Sequence, residues 1–434
     1  MVLRKFWFEK GGIVKPNDSV QRRQAVNLAR ETMAALRDRR RLADQHWVAH
    51  SMARGDIGLA MTCGAFAELW PEESWDVSGH AFLQAALQAR FAPRSTSLFN
   101  SVTGIAFALR CLSLGGVRYQ NAIRQVEAEL FYRVDTALDE LPAEGGLAEA
   151  DYDLINGLCG VAAHLTMAAQ HSAKAATLLE RVMQRLTDWG CQPSPGGLWT
   201  PAHRVLDRDR DLHPELRGGY LNLGVAHGIA GPLSLACLVQ LAGRVGLDLR
   251  PLITSLAERL CASVVLSEGG ADIPYHVLPP GVHHPERQTR TAWCYGNPGA
   301  ARALQLAAHA CGRPDWENTA VAILHAALGR DAESRGIPSP NFCHGRAGLV
   351  HLLHRFTRDT SRPDPTLIGH LDRELDKLLD MYDPASPYGF REVDLHGRAQ
   401  DNPGFLEGAA GVAAVLAAFG SDKPMMWERA VVTA

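Results

Sequence analysis

Five side chains able to bind a metal or move a proton stand beside glycine pairs in this 434-residue chain. Asp153 lies four residues before Gly157, and His227 immediately precedes Gly228. Cys294 is two residues before Gly296, while Cys343 and His344 directly precede Gly345. Two thiolates and an imidazole form a plausible three-ligand zinc set. They leave the fourth tetrahedral position open, which is the pattern of a catalytic rather than a structural site. A histidine titrates close to neutrality and suits proton transfer, and a nearby carboxylate would orient or charge it.

Each residue also has a plainer reading. Free cysteines are usually small buried hydrophobes, and the spacing of Cys294 and Cys343 is no recognised metal motif. His227 would serve as a satisfied core histidine, and Asp153, in DYDLING, as a cap on a helix turn. Arg290 and Tyr295, flanking Cys294, would serve as packing or ion-pair residues. Glu407 in FLEGAAG would be a first-turn carboxylate favoured by a helix dipole. Taken residue by residue, both readings stay open.

The elements that must position these groups come from an internal repeat. Gly-x-x-Gly followed by small or apolar residues recurs at Gly55, Gly157, Gly228, Gly296, Gly345 and Gly408, with a degenerate copy, SVTGIA, at Ser101. The second glycines are spaced by 46 to 71 residues, room for two helices and their connections. The segment after each pair is rich in Ala, Leu and Val, as in GVAAVLAAFG, and a helix apolar on most sides is buried on most sides. An amphipathic segment follows. Leu179, Val182, Met183 and Leu186 keep helical spacing, as do Ile253, Leu256, Ala257 and Leu260, with Pro251 suited to a first helical turn. Seven alternations of buried and half-buried helices predict an all-α fold, an α/α toroid of seven helix pairs, with the reactive groups at one end. Residues 46–434 form that toroid, and 1–45 a helical N-terminal extension carrying the basic run Arg37 to Arg41. Irregular insertions are expected from Pro193 to Tyr220 and from Glu268 to Arg290, both rich in proline, glycine and charge.

Composition narrows the function classes. The chain carries 44 basic and 47 acidic residues, which provides no electrostatic footprint for nucleic acid. The apolar stretch Gly224 to Gly243 holds His227, Pro232 and Gln240, so it reads as a buried helix, and no transmembrane segment is expected. Nine cysteines scattered singly point to a reducing compartment, hence the cytoplasm.

RTAWCYGNPG, NFCHGRAG, NLGVAHGIAG, YDLINGLCG and GFLEGAAG together, in this order, resemble the signatures of the lanthionine synthetase C family, the lanthipeptide cyclases. The resemblance runs from about residue 50 to 420. It implies an α/α toroid around one zinc ion per chain, often with a small β-containing elaboration. It implies that Cys294, Cys343 and His344 bind that zinc, that His227 and Asp153 are the acid/base pair, and that Arg290 and Tyr295 are further site residues. The implied partner is a dehydrated precursor peptide, together with a Ser/Thr dehydratase and an exporter.

The implied reaction adds a peptide cysteine to the β-carbon of dehydroalanine or dehydrobutyrine, giving a lanthionine or methyllanthionine thioether. A free thiol is mostly protonated at neutral pH, so it needs activation. The same residues would serve a relative that adds glutathione-like thiols to dehydroamino acids. A non-catalytic peptide-binding scaffold with structural zinc is the contrasting class, disfavoured by the retention of His227, Asp153 and an open ligand position. A toroidal glycoside hydrolase would need two facing carboxylates; the recurrent positions offer Cys and His.

Overall fold

The computed structural model describes residues 20–39, 42, 47–88, 95–141, 146–193, 195–267, 270–283, 289–360, 362–394 and 396–434. Residues 1–19 and 43–45 of the expected N-terminal extension, and Arg40 and Arg41 of its basic run, lie outside the described residues.

Seven apolar helices form the inner layer: Asp56–Leu69, Val102–Leu112, Leu158–Ala168, Ala230–Ala242, Asn297–Cys311, Arg346–Asp359 and Ala409–Ser421. Each packs against the next and the seventh packs against the first, so the barrel closes. Their character follows from composition. In the seventh, every residue from Ala409 to Phe419 is buried, because both its faces meet protein. Six outer helices follow their inner partners: Trp75–Gln88, Gln120–Glu140, Ala173–Gly190, Arg250–Ala262, Pro314–Gly329 and Pro365–Leu379. These bury one stripe only. Leu179, Val182, Met183 and Leu186 point inward from the third, and Ile253, Leu256, Ala257 and Leu260 from the fourth, which starts with Pro251 in its first turn. A buried leucine contributes about 1.5–3 kcal/mol, so such stripes hold the layers together. The seventh outer position is taken by the N-terminal helix Val20–Leu36, which packs on the last inner helix and on Pro365–Leu379.

The second glycine of every repeat has a packing reason. A Cβ there would run into the carbonyl oxygen six residues earlier, that of Met52, Leu98, Leu154, Val225, Trp293, Phe342 or Phe405 in turn. Only glycine lets the incoming chain lie this close to the first turn of the inner helix. These seven residues are all buried and apolar. Several stack on one another: Trp293 lies 5.3 Å from Phe342 and Phe342 5.8 Å from Phe405, centroid to centroid. Trp427 abuts Phe342 and Phe405, while the Val431 and Thr433 carbonyls accept bonds from Trp293 and Arg302. The C-terminal segment thereby fills the barrel beneath the glycine turns.

One hydrogen-bonded ring ties the repeats together at that end. Backbone N–H groups of Met52, Phe99, Leu154, Val225, Cys294, Cys343 and Leu406 donate to the carbonyls of Phe99, Ile155, Ala226, Cys294, Cys343, Leu406 and Ala53 respectively, at 2.7–3.4 Å. Every acceptor stands two residues before the first position of its glycine pair.

The β structure draws on both expected insertions. Thr200–Pro201 pairs antiparallel with Gly219–Asn222, which pairs with His276–Val277, giving a three-stranded sheet. Separate hairpins join Val265–Ser267 to Gly270–Asp272 and Arg391–Val393 to Ala399–Asp401. The last lies before the seventh glycine pair, where no insertion was predicted. Among the described residues, no helix is long and apolar enough to cross a membrane.

Candidate active site

The ring explains how residues far apart in sequence meet. Cys294 and Cys343 occupy the same position in consecutive repeats, and the Cys294 N–H donates to the Cys343 carbonyl at 3.2 Å. One position later stand Arg54, Asn100, Asn156, His227, Tyr295, His344 and Glu407. These side chains encircle one end of the barrel, where the inner helices begin with their positive N-termini.

Two thiols and an imidazole converge there. The donor atoms of Cys294, Cys343 and His344 lie within 4.8 Å of one another, Cys294 buried and the other two half-buried. The facing Cys343 thiol holds Cys294 well below its usual range against the cost of burial, with help from the nearby His344 and the charge of Arg290. Cys343 is pushed up correspondingly by the thiolate it faces and by burial. A cation between the two sulfurs would hold both as thiolates. Two sulfurs and a nitrogen on a fixed ring fit a zinc-type ion with one position left for another ligand. The His344 backbone N–H is fixed by the Asn341 side-chain oxygen at 3.1 Å.

Asp153 and His227 meet across neighbouring repeats. Asp153 Oδ2 lies 2.5 Å from His227 Nδ1. The other carboxylate oxygen accepts the N–H groups of Asn156 at 2.6 Å and Gly157 at 2.9 Å. Asp153 is fully buried, while the His227 side chain keeps 35% of its exposure. Burial opposes charge on His227, but the Asp153 hydrogen bond and charge, with smaller contributions from Glu149 and Cys294, outweigh it and raise its pKa. The imidazole is therefore more readily protonated at neutral pH than a free one.

Arg290 and Tyr295 complete the predicted set. The positive charge of Arg290 acts on both cysteines, and its backbone N–H donates to the Tyr275 hydroxyl at 3.0 Å. The chain turns back over the Arg290 carbonyl at Gly296, whose φ of 98° and lack of a Cβ both require glycine. The Tyr295 ring lies 6.5 Å from that of His227 and meets the Tyr275 ring edge-on at 5.4 Å. All seven predicted residues gather at one end of the barrel.

Four further acidic or amide groups, Glu149, Asn222, Glu392 and Glu407, also stand here. Glu392, Glu407 and His344 have donor atoms within 4.8 Å of one another. Glu407 is ion-paired to Arg54, so its negative charge is compensated by the neighbouring repeat rather than only by a helix dipole. Glu392 accepts from Gln400 and Asn402, each at 2.8 Å. Asn222 bridges Glu149 and the Tyr295 hydroxyl, at 2.5 and 3.0 Å. Sequence reasoning did not single out Glu149, Asn222 or Glu392. Asn222 opens the NLGVAHG motif, which was the available signal, whereas Glu149 and Glu392 carry no local signature.

Comparisons with known proteins agree with this architecture. A curated relative, the nisin biosynthesis protein NisC of Lactococcus lactis subsp. lactis, is 23% identical over 339 residues, covering 74% of this chain and 73% of the relative. The solved structure of nisin cyclase superposes with a TM-score of 0.74 at 18% identity, covering 94% of this chain and 97% of that one, and this likeness supports the toroidal fold. Residues 46–432 match the profile of the lanthionine synthetase C-like proteins. A match over that span places this chain in the lanthionine synthetase C-like family.

Proposed function

We propose that this protein is a lanthipeptide cyclase, which adds cysteine thiols of a dehydrated precursor peptide to its dehydroalanine or dehydrobutyrine residues. The observation that carries this reading is the placement of a Cys–Cys–His donor set beside the Asp153–His227 pair on one ring. Zinc held by Cys294, Cys343 and His344 would supply Lewis-acid stabilisation of the substrate sulfur as thiolate.

The remaining chemistry belongs to the chain. Bond formation joins the peptide sulfur to the β-carbon, the thiol proton leaves, and the electron pair displaced from the double bond gathers on the neighbouring carbonyl as an enolate. The α-carbon then takes a proton, so the ring has the mass of its precursor. His227 suits that proton transfer: Asp153 holds Nδ1, which leaves Nε2 as the working nitrogen and favours the charged ring. Arg290 adds positive charge next to the sulfurs. Tyr295 adjoins His227 as a further polar group.

A Ser/Thr dehydratase must act first on the peptide, and export of the ringed product would follow. All nine cysteines are free of disulfides, consistent with a reducing cytoplasm. The test is incubation of the zinc-loaded protein with a dehydrated, cysteine-containing peptide, followed by thiol alkylation and mass spectrometry. Loss of alkylatable thiols at unchanged peptide mass is expected. Intact thiols would overturn the reading, and glutathione adducts without rings would shift it to small-thiol addition.

A further inference from the structure

We propose that Glu149 is a positioning residue of this site: through Asn222 it sets the Tyr295 hydroxyl as a hydrogen-bond donor toward the reacting peptide. The inference rests on the cyclase reading for its chemical meaning, while its geometry stands independently.

The geometry begins with a strand. Tyr220 and Asn222 lie two residues apart in Gly219–Asn222, so their side chains leave the same face. Both reach Glu149, in the short helix Glu149–Tyr152. The Tyr220 hydroxyl faces the carboxylate and favours its charged form, and Asn222 Nδ2 donates to Oε1 at 2.5 Å. Asn222 is 1% exposed, and its amide has one orientation, because Oδ1 accepts the Gly224 N–H at 2.9 Å. Its second Nδ2 hydrogen goes to the Tyr295 oxygen at 3.0 Å. Both amide hydrogens are then spent.

The consequence falls on Tyr295. Its oxygen is already an acceptor, and among the described residues no acceptor for its own hydrogen is within hydrogen-bond reach. That hydrogen is left to donate, next to His227. Addition of the thiolate builds negative charge on the peptide carbonyl, where a preset donor stabilises the transition state more than the ground state. Gly224 makes room for this arrangement: a Cβ there would lie 2.6 Å from the Tyr295 ring and 2.7 Å from the Cys294 carbonyl. Burial first, and then the charge of Asp153, push the Glu149 carboxyl up, against the pull of Asn222, Tyr220 and His227. A half-buried carboxyl that faces the Asn222 amide and the Tyr220 hydroxyl, with no cationic partner in hydrogen-bond contact among the described residues, is costly unless it orders something.

The experiment is a double-mutant cycle between Glu149→Ala and Tyr295→Phe, with a dehydroalanine peptide bearing one cysteine as substrate. Tyr295→Phe should lower kcat about a hundredfold, the scale of one lost oxyanion donor. Glu149→Ala should lower kcat by about tenfold or more with KM and zinc content unchanged, and should cost nothing further in the Tyr295→Phe background. Glu149→Gln, which keeps an acceptor for Asn222, should restore most of kcat. Glu149→Asp, which withdraws the acceptor but keeps the charge, should behave like Glu149→Ala and serves if that variant does not fold.

An activity-free readout runs in parallel. The Raman tyrosine doublet, taken as wild type minus Tyr295→Phe, reports whether the phenol oxygen donates or accepts, and it should change in Glu149→Ala. Additive kcat losses, or an unchanged Raman signature, would overturn the inference. If the wild-type protein forms no thioether, the cyclase reading fails, and the Raman comparison alone decides the role of Glu149.

Discussion

Asp153 bonds to His227 with one carboxylate oxygen and caps the Asn156–Gly157 turn with the other, although the two residues are 74 positions apart. The capping reading and the catalytic reading are therefore both satisfied by one side chain. Asparagine separates them. In Asp153→Asn the amide oxygen can still accept from Asn156 and Gly157, since Asn caps about as well as Asp. The charge facing His227 is lost. Fold and zinc content should persist while cyclisation slows.

That variant also has a pH signature. Asp153 contributes to raising the His227 pKa, so removing its charge lowers that pKa. The rate depends on protonated His227 and should begin to fall at a lower pH in Asp153→Asn than in the wild type. Rate profiles between pH 6 and 8 test this. Coincident profiles and equal rates would return Asp153 to a purely structural role.

His227→Asn should keep zinc and lose ring formation by about a hundred- to ten-thousand-fold, the usual worth of a general acid–base group. Zinc analysis and a thiol assay on the same sample decide. Loss of metal together with activity would make His227 a fourth ligand.

The purified protein should hold about one zinc per chain, the stoichiometry of a single three-ligand site. Cys294→Ala and Cys343→Ala should each lower that number while helical circular dichroism stays as in the wild type, because a core of this extent does not depend on the metal. Full zinc retention in both variants would exclude the assigned ligands.

A stability prediction comes from Glu127, which takes bonds from Arg110 and lies 3.1 Å from His164, all three buried. Burial works against its charge, but His164 and Arg110 overcome it and hold its pKa below the usual glutamate value. A depressed carboxylate stabilises the fold above its unfolded pKa of about 4.3, and that contribution is lost as pH falls through the lower folded value. Glu127→Gln leaves Arg110 buried without its counter-charge and should cost about 3–5 kcal/mol at neutral pH. The gap from wild type should narrow below pH 4 in denaturant melts. A constant gap would mean the pair is not charged in the fold.

Gly348→Ala against Gly329→Ala tests the ring. A Cβ at Gly348 collides with the Phe342 carbonyl, whereas one at Gly329 meets nothing within 4 Å. Gly348→Ala should destabilise by several kcal/mol or abolish soluble expression, and Gly329→Ala should stay within about 0.5 kcal/mol of wild type. Equal melting temperatures would show that the close approach is dispensable.

Much of the architecture was legible because it is repetitive and local. Six glycine pairs and one Ser-x-x-Gly copy mark seven helix starts, Ala-rich runs mark helices buried on all sides, and stripes such as Leu179, Val182, Met183 and Leu186 mark the outer layer. The WCYG, CHG and AHG elements brought Cys294, Cys343, His344 and His227 into view together, because the chemistry and the turn share one short segment.

The sequence by itself determined the repeat, the α/α toroid and the identities of the groups at its glycine end. Tertiary structure alone decided what those groups touch. The ring of backbone bonds makes Cys294 and Cys343 neighbours, the N-terminal helix becomes the seventh outer wall, and one sheet joins two insertions. Glu149 reaches Tyr295 only through Asn222. The physical reason is range. A helix or a glycine turn is specified by residues within a few positions of one another, whereas a hydrogen bond between residues 73 positions apart exists only once the barrel has closed.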